Sequence, residues 1–264
     1  MTPQRRRFFS TLFLLFPLLI SLKVWPQERN VQIYHLIAEG DSSTEQVFDH
    51  EKALGKYRQA LAFDSLNYDV LWRISHSCRI VADHLPTLTD EQKEAQLEAY
   101  EEAALYANRA ITVNPNGAFG YVHRAAANIQ IAQFKNIWKS SGLMNDVRED
   151  CEQATELDPN VALAYHLLGR AHLKLSGRTK LFRWVFGGAW GNRDDAIHYF
   201  EKAIVLQSAS ILYHLDAARA YAENKDYPKS REHIGLILTL PVLNEDDTRN
   251  RKEASDLLEQ IKKK

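Results

Sequence analysis

Cysteine is scarce in this chain. Cys78 and Cys151 are the only two in 264 residues, and no Cys-x-x-Cys pair exists. None of the ten histidines forms His-Glu-x-x-His or a pair four residues apart. These absences exclude the common zinc and redox motifs, so no metal site is expected. No Gly-x-Ser-x-Gly elbow is present. Gly187, Gly188 and Gly191 lack the Gly-Lys-Ser/Thr ending of a phosphate loop. Alternating apolar runs are equally short of supply, which excludes a sheet as the organising element. An excess of positive charge is missing too. The formal net charge is −1, and residues 1–27 hold Arg5, Arg6, Arg7 and Lys23 without one acid, which leaves −5 for the rest. Generic nucleic-acid binding is therefore not expected. Nothing here composes an active site, and neither an enzymatic activity nor a cofactor is expected.

What is present is a repeated spacing. Ala196, Phe200, Ala203 and Ser208 lie four, three and five residues apart. The same intervals hold in Ala53, Tyr57, Ala60, Ser65; in Ala103, Ala107, Ala110, Pro115; and in Val147, Cys151, Ala154, Pro159. Ser230, Ile234, Ile237 and Val242 give a blurred last copy. Residues three and four apart share one helix face. Ahead of the 196–208 copy, Tyr165, Leu168, Gly169 and His172 mark a partner helix whose Gly169 permits close approach. Two copies end in near-identical stops, TVNPNGA and ELDPNVA, where proline cannot continue the helix and asparagine is suited to cap the next. The pattern resembles the tetratricopeptide repeat, a helix–turn–helix unit that stacks on copies of itself. It predicts an all-α solenoid of about five antiparallel helix pairs, with repeats over 48–244 and a polar capping helix over 245–264. Both cysteines fall at internal helix positions, as small apolar fillers do.

The first 27 residues read differently. Arg5, Arg6 and Arg7 precede an apolar run, FFSTLFLLFPLLISL, the form of a secretory signal. Val24, Trp25, Pro26 and Gln27 offer no small-x-small cleavage site. A signal peptide and an uncleaved membrane anchor both stay open, and either exports the repeats. Residues 28–47 form a leader, within which Val31–Gly40 begins an irregular first helix pair. Asn67 is placed to cap a helix, and Thr89 with Gln92 makes a capping box. KNIWKSSGLMN reads as a long connection, and Asn244 as the cap of the last helix.

VLWRISHSCRIVADHL, the run EAQLEAYEEAALYANRAITVNPNGAFGYVHRA and the run CEQATELDPNVALAYHLLGRAHLKL resemble the helical-repeat domain of the regulator of microtubule dynamics family, over roughly residues 45–260. The insertion before DDAIHYFEKA falls where that family also carries one. The resemblance implies an all-helical adaptor domain behind an N-terminal membrane segment, with no catalytic residues to transfer. Its microtubule role is not carried over, because export would put the domain across a membrane from tubulin.

Two functions from different classes follow. An adaptor would bind a protein or peptide on the concave face built by the first helices. A carrier would close apolar insertions over a lipid or small apolar ligand. Polar first-helix residues Arg73, His76, Arg124, Asn128, Arg170, Lys174 and Arg219 are the candidates for partner binding, against the alternative of a solvated face. The insertion Ser176–Arg193 is the second candidate. No acid lies between Pro159 and Arg193, while Lys180 and Arg183 alternate with Phe182, Trp184, Phe186 and Trp190. Leu181, Trp184 and Val185 suit a short amphipathic helix. These side chains either plug the neighbouring repeat or meet anionic lipid or the mouth of a groove.

Overall fold

The computed structural model describes residues 26–135, 137–185 and 187–264, so the apolar run ahead of Pro26 lies outside the described residues. Within them the chain is helical without a strand. The helices are α1 (Pro26–Val47), α2 (His50–Phe63), α3 (Tyr68–Asp83), α4 (Asp90–Val113), α5 (Ala118–Ile131), α6 (Ile137–Leu157), α7 (Ala162–Ser176), α8 (Lys180–Val185), α9 (Arg193–Leu206), α10 (Ile211–Glu223), α11 (Tyr227–Ile237) and α12 (Asp247–Ile261). They pair as α1/α2, α3/α4, α5/α6, α7/α9 and α10/α11, and α12 packs on the last pair. This is the all-α repeat solenoid that the spacing predicts.

The spacing works through volume. Three second-helix positions in each of the five pairs, from Ala53, Tyr57 and Ala60 to Ser230, Ile234 and Ile237, are at most 2% exposed. In four of the five pairs a small first-helix residue accompanies the central one; in α3/α4 the order is reversed, with Ala107 as the central residue and His76 at the first-helix position. Where the central residue is a ring, the partner is glycine. A Cβ on Gly40 would sit 2.3 Å from the Tyr57 ring, and one on Gly169 would sit 2.6 Å from that of Phe200. Where it is Cys151 or Ile234, Ala125 or Ala218 suffices, each fully buried in the same cluster as its partner. Cys78 and Cys151 are both free and buried. Burial carries the Cys78 thiol up to about 12 and that of Cys151 further above the usual range, so neither is a thiolate at neutral pH.

Several local expectations need correction. The stretch 28–47 is no detached leader: it is α1, and Ile33, Leu36 and Ile37 bury it against α2 and α3. KNIWKSSGLMN is largely the first turns of α6, because Met144 continues the helical interval of Val147 and Cys151 and is buried with them. Asn116 and Asn160 do not cap the following helices. Their backbone N–H groups donate to the Asn114 and Asp158 side chains, which close the turn from the other end. The missing cap of α5 comes from outside its repeat, since Phe119 and Gly120 N–H both donate to the Tyr68 hydroxyl. That hydroxyl explains Gly117, where a Cβ would lie 2.3 Å from it. Asn244 is not the last N-cap either; Asp246 takes that position, and Asp247 accepts from Leu243 and Asn244 N–H. Asn67 and the Thr89–Gln92 capping box are as the sequence predicts.

Successive first helices touch one another, α3 with α5, α5 with α7 and α7 with α10, and form the inner wall of the array. The array curls far enough that its ends meet. His84, just past α3, lies 3.1 Å from Asp246 and 3.4 Å from Glu245, at the start of the cap. Burial draws the His84 pKa down, but hydrogen bonds to the Ile80 carbonyl and Asp246 outweigh it and the net shift is upward.

Candidate functional site

Side chains of the inner wall divide into two regions. Around Trp72 and His76 of α3 the wall is filled, while past the end of α3 a cavity of about 420 Å³ is lined by Val47, His50, Ile80, Val81, His84 and Glu245. Trp72 stacks on both Phe119 at 4.7 Å and His123 at 5.4 Å, which lie side by side on α5, and His76 meets His123 at 5.1 Å and His50 at 5.5 Å. The Nδ1 atoms of His50, His76 and His123 are buried without a hydrogen-bond partner. Burial, with the Arg79 charge nearby, pushes His50 down to about 4 and His123 to about 3, and holds His76 well below its ordinary value. Neutral imidazoles are the only form this stack accommodates at pH 7. Arg73 grips Asp41 through Nε and Nη2 at 2.8 and 3.1 Å, and Arg79 pairs with Asp83 at 2.6 Å. Asp83 also accepts from Tyr100 and Gln130.

Around α7 the wall is open. A cavity of about 340 Å³ is lined by Ile129, Gln133, Arg170, Leu173, Lys174, Gly177, Phe200, Asp216 and Glu223, contributed by α5 and its end, α7 and its end, α9 and α10. Its acids are already engaged. Asp216 accepts from His166 Nε2 at 2.9 Å and from Arg219 at 2.8 Å, while Arg219 also reaches Glu253. Burial opposes the Asp216 charge, but those two partners and Arg170 hold its carboxyl well below the usual range. Its partner His166 is kept neutral by burial and stacks on Tyr213 at 4.5 Å. Glu223 faces Arg193 at 3.7 Å.

The seven predicted concave residues therefore part company. Arg170 and Lys174 come together in the open cavity. Arg73 and Arg219 carry ion pairs inside the wall, and His76 belongs to the aromatic stack. Arg124 and Asn128 turn to the second helices, lining a separate cavity with Asn108 of α4 and Leu143, Asp146, Glu149 and Asp150 of α6. There Arg124 holds the buried Asp150 with Nε and Nη2. The acids that complete these pairs lie a repeat or so away in sequence, 32 residues for Arg73 and Asp41 and 26 for Arg124 and Asp150, a separation that helix periodicity within one element does not reveal.

The insertion is divided as well. Trp190 folds back: its indole N–H donates to Asn145 at 2.8 Å, and its ring meets His172 edge-on at 4.8 Å with Arg148 above it. Gly191 allows this, since a Cβ there would lie 2.3 Å from Leu175. Gly187, at φ +73°, turns the chain in the left-handed region after α8. Trp184 at 75%, Leu181 at 70% and Val185 at 47% stand exposed on α8. The side chains of Lys180, Phe182, Arg183 and Phe186 lie outside the described residues. Among the described residues no group of three His, Cys, Asp or Glu is placed to hold a metal ion, and no helix is long and apolar enough to cross a membrane.

Paired helices, a small-against-large register and a first-helix inner wall define a tetratricopeptide-type repeat array. Solved structures agree in fold. A thermophilic tetratricopeptide-repeat protein of Thermus thermophilus superposes with a TM-score of 0.60 at 13% identity, over 86% of this chain and 98% of its own. PilF of Pseudomonas aeruginosa gives 0.53 at 14% identity, over 89% and 92%. Residues 36–262 match the family described as regulator of microtubule dynamics protein 1–3, and the chain belongs to it. No curated protein matches the chain.

Proposed function

We propose that this protein is a non-enzymatic adaptor whose inner wall holds a segment of a partner protein along α5, α7 and α10. The observation that carries the reading is the contrast within that wall. Around Trp72 and Arg73 of α3 the side chains are taken up by an aromatic stack and an ion pair, whereas the cavity at Arg170 and Lys174 is open and also lined by Ile129, Leu173 and Phe200. Such a mixture of apolar and polar lining is what an extended or helical segment needs. The test is photo-crosslinking in the native host. A photoreactive residue at Gln133, in the cavity, should capture a discrete partner, and one at Lys229, on the outer helix α11, should not. Equal capture at both positions, or none at Gln133, would contradict the reading.

The repeats act on the far side of a membrane from the cytoplasm, released or tethered by residues 8–25, and α8 touches the membrane surface. The Arg5–Arg7 triplet ahead of the apolar run supports export. The exposed Leu181, Trp184 and Val185, in a stretch without acids, support the surface contact. A reporter fused after residue 30 should be active only outside the cytoplasm, and cytoplasmic activity would refute export. Loss of anionic-liposome binding in Trp184→Ser with unchanged melting would support the contact, and unchanged binding would end it.

A further inference from the structure

We propose that the two ends of the array are clasped by a protonated His84 and part when it loses its proton, so that pH sets how far the coil closes around its inner wall. His84 is the C-cap of α3, and 162 residues separate it from Asp246 at the start of α12. Its Nε2 lies 3.1 Å from the Asp246 carboxylate. Its Nδ1 lies 2.9 Å from the Ile80 carbonyl and 3.4 Å from the Glu245 carboxylate. With the carboxylates ionised, all three neighbours are acceptors, so only the imidazolium, a donor at both nitrogens, satisfies them together. Either neutral tautomer turns a nitrogen lone pair against an oxygen. The Ile80 carbonyl, on the helix His84 itself ends, retains the Nδ1 proton. Deprotonation therefore bares Nε2 to Asp246 and removes the attraction that joins the ends.

The surroundings suit a clasp that opens. The body of α12 packs on α10 and α11, so the seam is made by the turn ahead of it and the end of α3. Beside the seam the cavity of about 420 Å³ admits water, and it shares no lining residue with the cavity at α7. From the α12 side the charged groups are Glu245, Asp246 and Arg249, which pairs with Asp246 at 2.9 Å. Asp247 is engaged by the Leu243 and Asn244 N–H groups. From α3 comes Asp83, held by Arg79 at 2.6 Å. From the α2 side Asp49, His50 and Glu51 line the cavity, and burial keeps His50 neutral. Burial lowers the His84 pKa, but the Ile80 carbonyl and Asp246 carry the net shift upward. Burial raises the Glu245 pKa, and the His84 charge opposes that. Because the two carboxylates reach His84 only when the ends meet, they favour its proton, and by linkage the proton favours the closed ends. Closure is thus fully supported below the ordinary histidine value of about 6.5 and is lost as pH rises through the raised one. The buried His50 and His123 act with the opposite sign, weakening the fold as pH falls.

Electron-spin distance measurement on the full-length protein in neutral detergent tests this, with labels on K52C of α2 and K252C of α12, both exposed positions. The native Cys78 and Cys151 are buried thiols that stay protonated, so they do not compete for the label. With His84 in place, one short distance should dominate at about pH 6, and a longer population should replace most of it by about pH 8.5. Adding H84K, a cation at both values, should keep the short distance throughout. Adding H84Q, which carries no charge, should give the long distance throughout. An identical distribution at the two pH values with His84 in place overturns the proposal. A shift of the same size in H84K overturns it too, because another group would then be responsible, as does a short distance at both values in H84Q. Should H84Q fail to fold, the comparison of His84 with H84K decides alone.

Discussion

The wall around α3 and the wall around α7 are built from the same repeat and end in opposite states. At α3 the arginines are paired and the indole is covered: Arg73 on Asp41, Arg79 on Asp83, Trp72 on Phe119 and His123. At α7, among the described residues, no carboxylate stands at ion-pair distance from Arg170 or Lys174, although the charge of Arg170 acts on the buried Asp216 across the cavity. The difference between the two lies in partnership, not in residue type. Arg73, Arg79, Arg124 and Arg219 each have a carboxylate at ion-pair distance, on their own helix or on a neighbouring one.

Breaking a partnered charge should therefore cost far more than removing an unpartnered one. Asp150→Ala leaves Arg124 half-buried without its carboxylate and should lower unfolding stability by about 3–4 kcal/mol in urea titration. Arg170→Ala and Lys174→Ala should each cost less than about 1 kcal/mol. Similar losses in all three would erase the distinction.

The insertion allows the same comparison at smaller scale. Trp190→Ser removes a ring that packs on His172 and binds Asn145, and should cost about 2–3 kcal/mol. Trp184→Ser, at an exposed ring, should change stability by no more than about 0.5 kcal/mol.

Next in size is the register between helices. Gly169→Ala drives a methyl into the Phe200 ring and should cost about 1–3 kcal/mol. Combined with Phe200→Leu, the total should fall short of the sum of the two single changes, because the smaller side chain makes room.

A further effect is expected on pH. Unfolded histidines take a proton near 6.5, whereas His50 in the fold resists until about 4 and His123 until about 3. The unfolded chain thus binds more protons in that window, so stability present above pH 6.5 is lost as pH falls toward 4. The urea midpoint should decline over that range, and His76→Phe/His123→Phe should flatten the decline.

Much of this is legible in the residue order alone. The interval of four, three and five locates every buried second-helix triplet, because burial in a helix pair has a period that one chain displays. Leu181, Trp184 and Val185 are likewise visible as one face of a short helix. What stays hidden depends on residues distant in sequence. Nothing near Arg124 announces Asp150, and nothing near Gly117 announces the Tyr68 hydroxyl that occupies its place. Helix face alone selects the seven polar candidates, so it does not tell the paired from the unpaired. For Arg73 and Arg124 the missing signal is an acid on another helix. The acid-free stretch from Asn160 to Arg193 is the one local trace of the difference at α7.

Hydrogen exchange on the full-length protein, with and without the partner captured by crosslinking at Gln133, tests the contrast between the two walls most directly. Added protection should map to 166–176 of α7 and to α10, with α3 from 68 to 83 unchanged. Protection centred on α3 and the Trp72–Phe119 stack, with α7 unaffected, would contradict the account.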